Sequence, residues 1–281
     1  MTIPFIKAHG ARNDFLLTWS HQLPAGLTDF AHAAIAICER HSGAGADGWI
    51  VIKKASGTAH AAIDLYNSDG SRSEISGNGT RCVAALLVDS GLADTDVNIA
   101  TGAGLKHLRL LKRTGRAFSF EMNMGAPLLE ELHANLSLLG GAQEDHILDD
   151  RTRDAVILNV GNPQCVFFVD DFDFPWQVLG ARVERHPKFP NRTNVSFVKT
   201  VDRHTIDVRF FERGAGETMS SGTGSTGAAA AAVSRALVVP PVRVLTPAGV
   251  LDLRWSGDAI FLAGPAELVA SGEYYWTTSS H

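Results

Sequence analysis

Two glycine-punctuated strings constrain this chain more than anything else in it. Ser76-Gly77-Asn78-Gly79-Thr80-Arg81-Cys82 runs into Val83-Ala84-Ala85-Leu86-Leu87-Val88. Ser221-Gly222-Thr223-Gly224-Ser225-Thr226-Gly227 runs into an Ala-rich stretch that ends near Leu237. Each reads as a loop feeding the N-terminus of a buried helix. Free backbone N–H groups and the positive end of the helix dipole make such a place an anion site. Two of them imply one anion held from two sides.

The strings lie 145 residues apart, and other pairs keep step with them. Asn67 lies nine residues before Ser76, and Glu212 lies nine before Ser221. His9-Gly10…Asn13-Asp14-Phe15 has a looser echo in Val160-Gly161-Asn162…Phe167. Asp47-Gly48-Trp49-Ile50-Val51 has one in Thr193-Asn194-Val195-Ser196-Phe197. A repeat this long means two similar domains rather than a solenoid. The expected division is 1–123, with the tail 266–281 returning to it, and 124–265. Facing domains would bring both helix starts to one cleft, a favoured place for a ligand.

At 281 residues the chain has room for that division. It is 45% hydrophobic and 20% charged, with a formal net charge of -5. No basic cluster appears, which argues against nucleic-acid or membrane-surface partners. No apolar run approaches the roughly 18 residues of a membrane span. Ile3 to Lys7 leads into a strand-like start without a secretory signal. The three cysteines, Cys38, Cys82 and Cys165, are too scattered for a disulfide framework or zinc site. A reducing cytoplasm is the expected setting.

The coarse pattern alternates strands with a few helices. Ile3 to Phe15 reads as a strand broken over 9–14, and Phe15 to Trp19 as a second. Thr28 to Arg40 reads as a helix with Thr28 as its cap. Strands are expected at 49–52 and 61–66, ending in the turn Asn67 to Ser71, then as a meander over 97–122. Further strands are expected at 156–160, 165–169, 194–198, 206–211, 242–245, 251–255 and 259–262, with a short helix over 178–185.

Several chemistries can be weighed from residue types. Gly222 to Gly227 satisfies G-x-G-x-x-G, but the preceding strand ends near Phe211 and Val238 to Leu245 carries no acid, against a dinucleotide site. Neither Ser76 nor Ser221 sits in a G-x-S-x-G elbow. Helix capping together with ligand binding accounts for both serines, with a direct chemical role as the alternative. The cysteines lie in apolar surroundings and read as core. His9 and His41 flank Gly-rich loops, where a structural hydrogen bond is the simpler role. Asn13, Asn67, Asn162 and Asn194 stand at loop edges beside strands in echoing positions. Each alone suits a turn; four together suggest a polar cage for a ligand. Glu212-Arg213 at a strand end adds an acid and a planar cation suited to carboxylate recognition.

Taken together, the chain resembles diaminopimelate epimerase over essentially its whole length. The matching stretches are His9-Gly10…Asn13-Asp14-Phe15, Gly43 to Gly48, Asn67 to Ser71, Gly77 to Cys82, Gly161-Asn162-Pro163, Thr193-Asn194-Val195 and Glu212 to Thr218. The resemblance implies an α/β (α+β) fold of two pseudo-symmetric domains, each a mixed sheet wrapped around a central helix, with the active site between them. It implies an isomerase that needs neither pyridoxal phosphate nor metal. In the family two cysteines at the helix starts exchange a proton on the substrate's α-carbon, one as thiolate and one as thiol. A helix N-terminus lowers a thiol pKa and supplies N–H groups where charge grows.

By the same resemblance the two cysteine positions fall on Ser76 and Ser221, and the supporting His falls on Gln164. Glu212 is kept beside the second position. A position that is Gln in some members is Gly48. The implied catalytic set is therefore Ser76, Ser221, Glu212 and Gln164. The implied substrate-binding set is Asn13, Asn67, Gly77, Asn78, Asn162, Asn194, Arg213, Gly222 and Thr223. The partner implied is a small zwitterionic amino acid such as diaminopimelate, and the aromatic tail Tyr274-Tyr275-Trp276 implies a homodimer. A serine hydroxyl titrates far above a thiol's roughly 8.5, so ordinary two-thiol epimerisation is expected to be weak or absent. Two alternatives follow. One is an isomerase or dehydratase of the same fold, with Glu212 or Glu74 carrying the proton on one side. The other is a non-catalytic amino-acid-binding protein.

Overall fold

The computed structural model describes residues 1–135 and 154–276. They form two compact units: Met1–Met122 with the segment from Gly264 onward, and Asn123–Ala263. The first contains β1 (Thr2–Gly10), β2 (Asn13–Trp19), α1 (Phe30–Cys38), β3 (Gly48–Lys53), β4 (Ala61–Asn67), β5 (Arg72–Ser73), α2 (Gly77–Asp89), β6 (Asp96–Thr101), β7 (Gly104–Thr114) and most of β8 (Ala117–Gly125). The second contains β9 (Leu128–Asn135), β10 (Asp154–Asn159), β11 (Pro163–Phe168), α3 (Trp176–Glu184), β12 (Asn194–Asp202), β13 (Thr205–Glu212), β14 (Gly216–Thr218), α4 (Gly222–Ser234), β15 (Val242–Thr246) and β16 (Gly249–Ser256). The last strand, β17 (Ala259–Tyr275), pairs with β16 at its start and with β1 over its later residues.

The duplication is visible element by element. In the first unit β2 pairs parallel with β3 and β4 parallel with β6; in the second, β11 pairs parallel with β12 and β13 with β15. Pairs such as β1–β2, β3–β4, β6–β7, β10–β11, β12–β13 and β15–β16 are antiparallel, so the strands of each unit are mixed in direction within one continuous sheet. Strand β4 ends on Asn67 and β13 on Glu212, each followed by a short strand and a 13-residue helix.

Those two helices are central. Residues 77–87 of α2 and 222–232 of α4 are buried without exception. Behind their first turns both run through small and apolar residues, Cys82 to Val88 in α2 and Gly227 to Val233 in α4, as suits a helix inside a core; α2 also buries Asn78, Thr80 and Arg81. Helix α2 packs on β1, β2 and β6; α4 packs on β10, β11, β12, β13, β15 and β16. Helix α4 begins with three glycines in six residues, each costing about 1 kcal/mol of helix propensity relative to alanine. Its stability therefore comes from burial and its cap. Gly224 has no room for a side chain: a Cβ there would lie 2.8 Å from the Phe210 ring and 2.9 Å from Ser221 Oγ. Outer layers complete each unit. Helix α1 covers β3 and β4 with Ala33, Ala34 and Ile37 over Trp49 and Tyr66. Helix α3 covers β12 and β13 with Leu179 and Val183 beside Phe167 and Phe197.

Several expected boundaries move. The cap of α1 is Asp29, not Thr28: its carboxylate accepts from the His32 N–H at 3.0 Å. The break over 9–14 shrinks to the two-residue turn Ala11-Arg12, both with positive φ, as a tight hairpin demands. Helix α3 starts at Trp176 rather than 178. Strand β9 was not expected at all, because Leu128-Leu129-Glu130-Glu131 lacks the period-2 alternation of a strand. Strand β17 does not stop at 262; it continues through Gly264-Pro265 to Tyr275. Of the expected tail, residues 277–281 lie outside the described set.

Candidate functional site

The two helix starts have the same local geometry. Ser76 (φ -128°, ψ 121°) and Ser221 (φ -134°, ψ 126°) are both extended N-caps. Ser76 Oγ accepts from the Gly79 N–H at 3.1 Å, and Ser221 Oγ from the Gly224 N–H at 3.0 Å. Each hydroxyl so closes one first-turn donor. Gly77 and Gly222 are the first helical residues, where backbone N–H groups lack intrahelical acceptors.

The surroundings then diverge. In the second unit Ser221 is 2% exposed and donates its hydroxyl hydrogen to Glu212 Oε1 at 2.6 Å. The Thr218 hydroxyl donates to Glu212 Oε2 at 2.7 Å. Both carboxylate oxygens are thus held, and Glu212 stands at the end of β13 because β14 folds back against it, pairing Gly216 with Glu212. In the first unit Ser76 is half-buried, and among the described residues its hydroxyl hydrogen meets no carboxylate.

The expected binding residues fall into clusters. In the first unit Asn13, Gly48 and Asn67 stand at the same ends of neighbouring strands β2, β3 and β4. Asn13 Nδ2 donates to Asp47 Oδ2 at 2.8 Å, and Asn78 Nδ2 donates to Asn13 Oδ1 at 3.1 Å. Asn67 donates to the Ser71 hydroxyl at 3.0 Å. A side chain at Gly48 would place its Cβ 2.9 Å from the Tyr66 carbonyl oxygen. In the second unit Gln164 Nε2 donates to Asn162 Oδ1 at 2.7 Å, and Asn162 Nδ2 donates to the Thr223 hydroxyl at 3.2 Å. Gln164 is fully buried, and its Oε1 has no hydrogen-bond partner among the described residues. Asn194 accepts from the Arg213 N–H at 3.0 Å and donates to the Pro163 carbonyl at 3.0 Å. The Arg213 guanidinium donates to the Asn191 carbonyl at 3.2 Å.

The three cysteines are free and buried. Burial pushes the Cys38 and Cys82 thiols up to about 12 and raises Cys165 as well. All three are buried and remain protonated near neutral pH. Asp14 and Asp47 share Arg40, which reaches Asp14 at 2.8 Å and Asp47 at 2.6 Å. Burial raises Asp14, but hydrogen bonds from Arg40 and Lys7 outweigh it and hold it below its usual range. Burial and the nearby Asp14 charge raise Asp47.

Sequence reasoning missed four residues that organise these clusters. Thr218 and Arg81 lie inside strings that carry the resemblance, yet had no role. Asp47 terminates the Asn13 hydrogen bonding. Glu184, 2% exposed, accepts from Arg192 at 3.2 Å and from the Gly214 N–H at 3.4 Å, bracing the turn after Arg213. Its signal was weak: a lone acid at a helix end reads as solvated surface. Among the described residues no three His, Cys, Asp or Glu side chains are placed to hold a metal, and no helix is long and apolar enough to cross a membrane.

Two units of mixed strands, each built around a serine-capped central helix, define the class as the epimerase-like α+β fold. A solved structure with that fold, a predicted epimerase from Pseudomonas aeruginosa, superposes with a TM-score of 0.71 over 99% of this chain and 100% of its own, at 14% identity. The family model for diaminopimelate epimerase matches residues 5–129 and 156–269. The diaminopimelate epimerase of Pelotomaculum thermopropionicum is 39% identical over 281 residues, covering 98% of this chain and 99% of its own. That of Moorella thermoacetica is 36% identical over 278 residues, covering 96% and 98%. The chain belongs to the diaminopimelate epimerase family and is an enzyme of the epimerase kind.

Proposed function

We propose that the chain acts without a cofactor on a zwitterionic amino acid resembling diaminopimelate, and that it moves the α-proton chiefly through Ser221 and Glu212. One observation carries this reading: Ser221 donates to Glu212 at 2.6 Å, while Ser76 has no carboxylate partner among the described residues. The step balances as a relay. The α C–H bond breaks and an O–H bond forms at Ser221. The hydroxyl's own proton passes to Glu212 Oε1. The electron pair stays on the α-carbon and spreads into the substrate carboxylate, beside the N–H groups of Gly222 and Thr223. Ser76, Gly77, Asn78, Asn13, Asn67, Asn162, Asn194 and Arg213 are assigned to binding. Ser76 is the weaker proton carrier, because a hydroxyl without a base neither accepts nor delivers a carbon-bound proton readily.

One base on one side has a stereochemical consequence. A proton removed by Ser221 and Glu212 returns from the same side, so exchange with solvent outruns inversion. The test is incubation with diaminopimelate stereoisomers in deuterium oxide, following α-deuterium by NMR and configuration by chiral chromatography. Slow exchange with mostly retained configuration is expected. Fast exchange with equal inversion, at rates typical of an efficient two-base enzyme, would overturn the reading. Exchange absent while the ligand still raises the melting temperature would mark an amino-acid-binding protein instead. The same asymmetry suits one-sided elimination, so loss of a β-hydroxyl or double-bond migration in a small substrate panel would redirect the substrate class while keeping Glu212 as the base.

A further inference from the structure

Arg81 occupies the first turns of α2 and is fully buried. Among the described residues no carboxylate pairs with it, and its Nη1 has no hydrogen-bond partner. A buried guanidinium in that condition is costly. Burial lowers it to about 10, which leaves it protonated at neutral pH. Its two contacts are specific. Nε donates to the Pro265 carbonyl at 3.2 Å, and Nη2 donates to Asn78 Oδ1.

From there the bonding runs in one direction. Asn78 Nδ2 donates to Asn13 Oδ1 at 3.1 Å, and Asn13 Nδ2 donates to Asp47 Oδ2 at 2.8 Å. A guanidinium can only donate, and an ionised carboxylate can only accept. An amide offers an acceptor at one end and donors at the other, and either end can point either way. With a donor-only group at one terminus and an acceptor-only group at the other, just one orientation of both amides satisfies every link. Reversing Asn78 would set its NH2 against the guanidinium; reversing Asn13 would set its oxygen against the Asp47 carboxylate. Arg40 and the Asp14 N–H hold Asp47 in place, at 2.6 Å and 3.0 Å.

We infer that Arg81 is a positioning residue that, through Asn78, sets which way the Asn13 side chain presents its amide. It explains why a cation is retained in the core beside a helix start. Asn13 then spends its oxygen on Asn78 and one amide hydrogen on Asp47, so its second amide hydrogen is the side-chain group it can offer a substrate. That last consequence rests on the function proposed above; the orientation itself does not.

The test is NMR of the ligand-free, full-length protein labelled with ¹⁵N at asparagine. In the unmodified chain the side-chain amide protons of Asn13 and Asn78 should exchange with solvent at least about tenfold more slowly than those of exposed Asn191. In Arg81→Met the Asn13 amide signals should shift and exchange faster while the backbone amides of β2 keep their protection. Arg81→Lys, which restores one donor, should return them toward their original positions. Asn78→Asp supplies a second route should Arg81→Met fail to fold: it keeps the acceptor for Arg81 but removes the donor to Asn13, so Asn13 alone should lose protection. Rapid exchange of Asn13 in the unmodified protein, or unchanged Asn13 signals in either folded variant, would overturn the inference. Because no substrate is present, these outcomes are independent of whether diaminopimelate is turned over.

Discussion

The two helix starts are alike in backbone and unlike in chemistry. Ser76 and Ser221 share extended cap geometry and near-equal bonds to the glycine three residues on. Among the described residues only Ser221 has a carboxylate against its hydroxyl, and that carboxylate is itself held by Thr218. At the corresponding position nine residues before Ser76 stands Asn67, bonded to Ser71 and unable to accept a proton as a base. Duplication has preserved the scaffold for a helix-end site in both units, and the acid/base equipment in one. The comparison teaches that capping and catalysis are separable demands on a serine: the cap needs only an oxygen, whereas proton transfer needs a neighbour of suitable basicity.

The sharpest way to break the comparison is to install thiols. Ser221→Cys should raise the α-proton exchange rate by about 10²–10⁴-fold, since a helix N-terminus favours thiolate. Ser76→Cys alone should raise it less, and the pair together with Gln164→His should raise inversion as well as exchange. Equal gains from the two single variants, measured by deuterium incorporation, would erase the asymmetry. Next in size, Glu212→Gln should lower the residual exchange by about 10²-fold or more by removing the proton acceptor, while Ser76→Ala should lower it by less than about tenfold. A Glu212→Gln variant with unchanged exchange would move the base elsewhere.

The smallest expected difference concerns stability. Gly224→Ala sets a methyl against the rigid Phe210 ring and the Ser221 hydroxyl, and should cost about 1–3 kcal/mol. Gly79→Ala meets the mobile end of Ile50 at 2.8 Å, which can turn away, and should cost about 1 kcal/mol or less. Denaturant midpoints would rank them; a larger loss at Gly79 would show that the first helix start is the tighter of the two.

Much of this is legible in the sequence. The capping serines follow from residue type, and the burial of α2 and α4 follows from the apolar and Ala-rich runs behind their first turns. The core roles of Cys38, Cys82 and Cys165 follow from their neighbours. What misled was local ambiguity. Thr28 and Asp29 are both cap residues, and only the position of the His32 N–H selects Asp29. Strand β17 runs on past Leu262, where the expected strand ended, because β1 supplies a partner from the other end of the chain.

The asparagines mark the division most clearly. The residue type and echoing positions of Asn13, Asn67, Asn162 and Asn194 are in the sequence, and from them comes the expectation of a polar cage for a ligand. Which partner each amide takes was decided only in three dimensions. Asn78 and Asn13 lie 65 residues apart and bond within the core, with Arg81 and Asp47 at the ends. Asn162 turns to Thr223, 61 residues away. Hydrogen bonds reach about 3 Å and depend on direction. A linear pattern with period 2 or 3.6 records which face a side chain occupies, and carries no information about the group that the folded chain brings across from it.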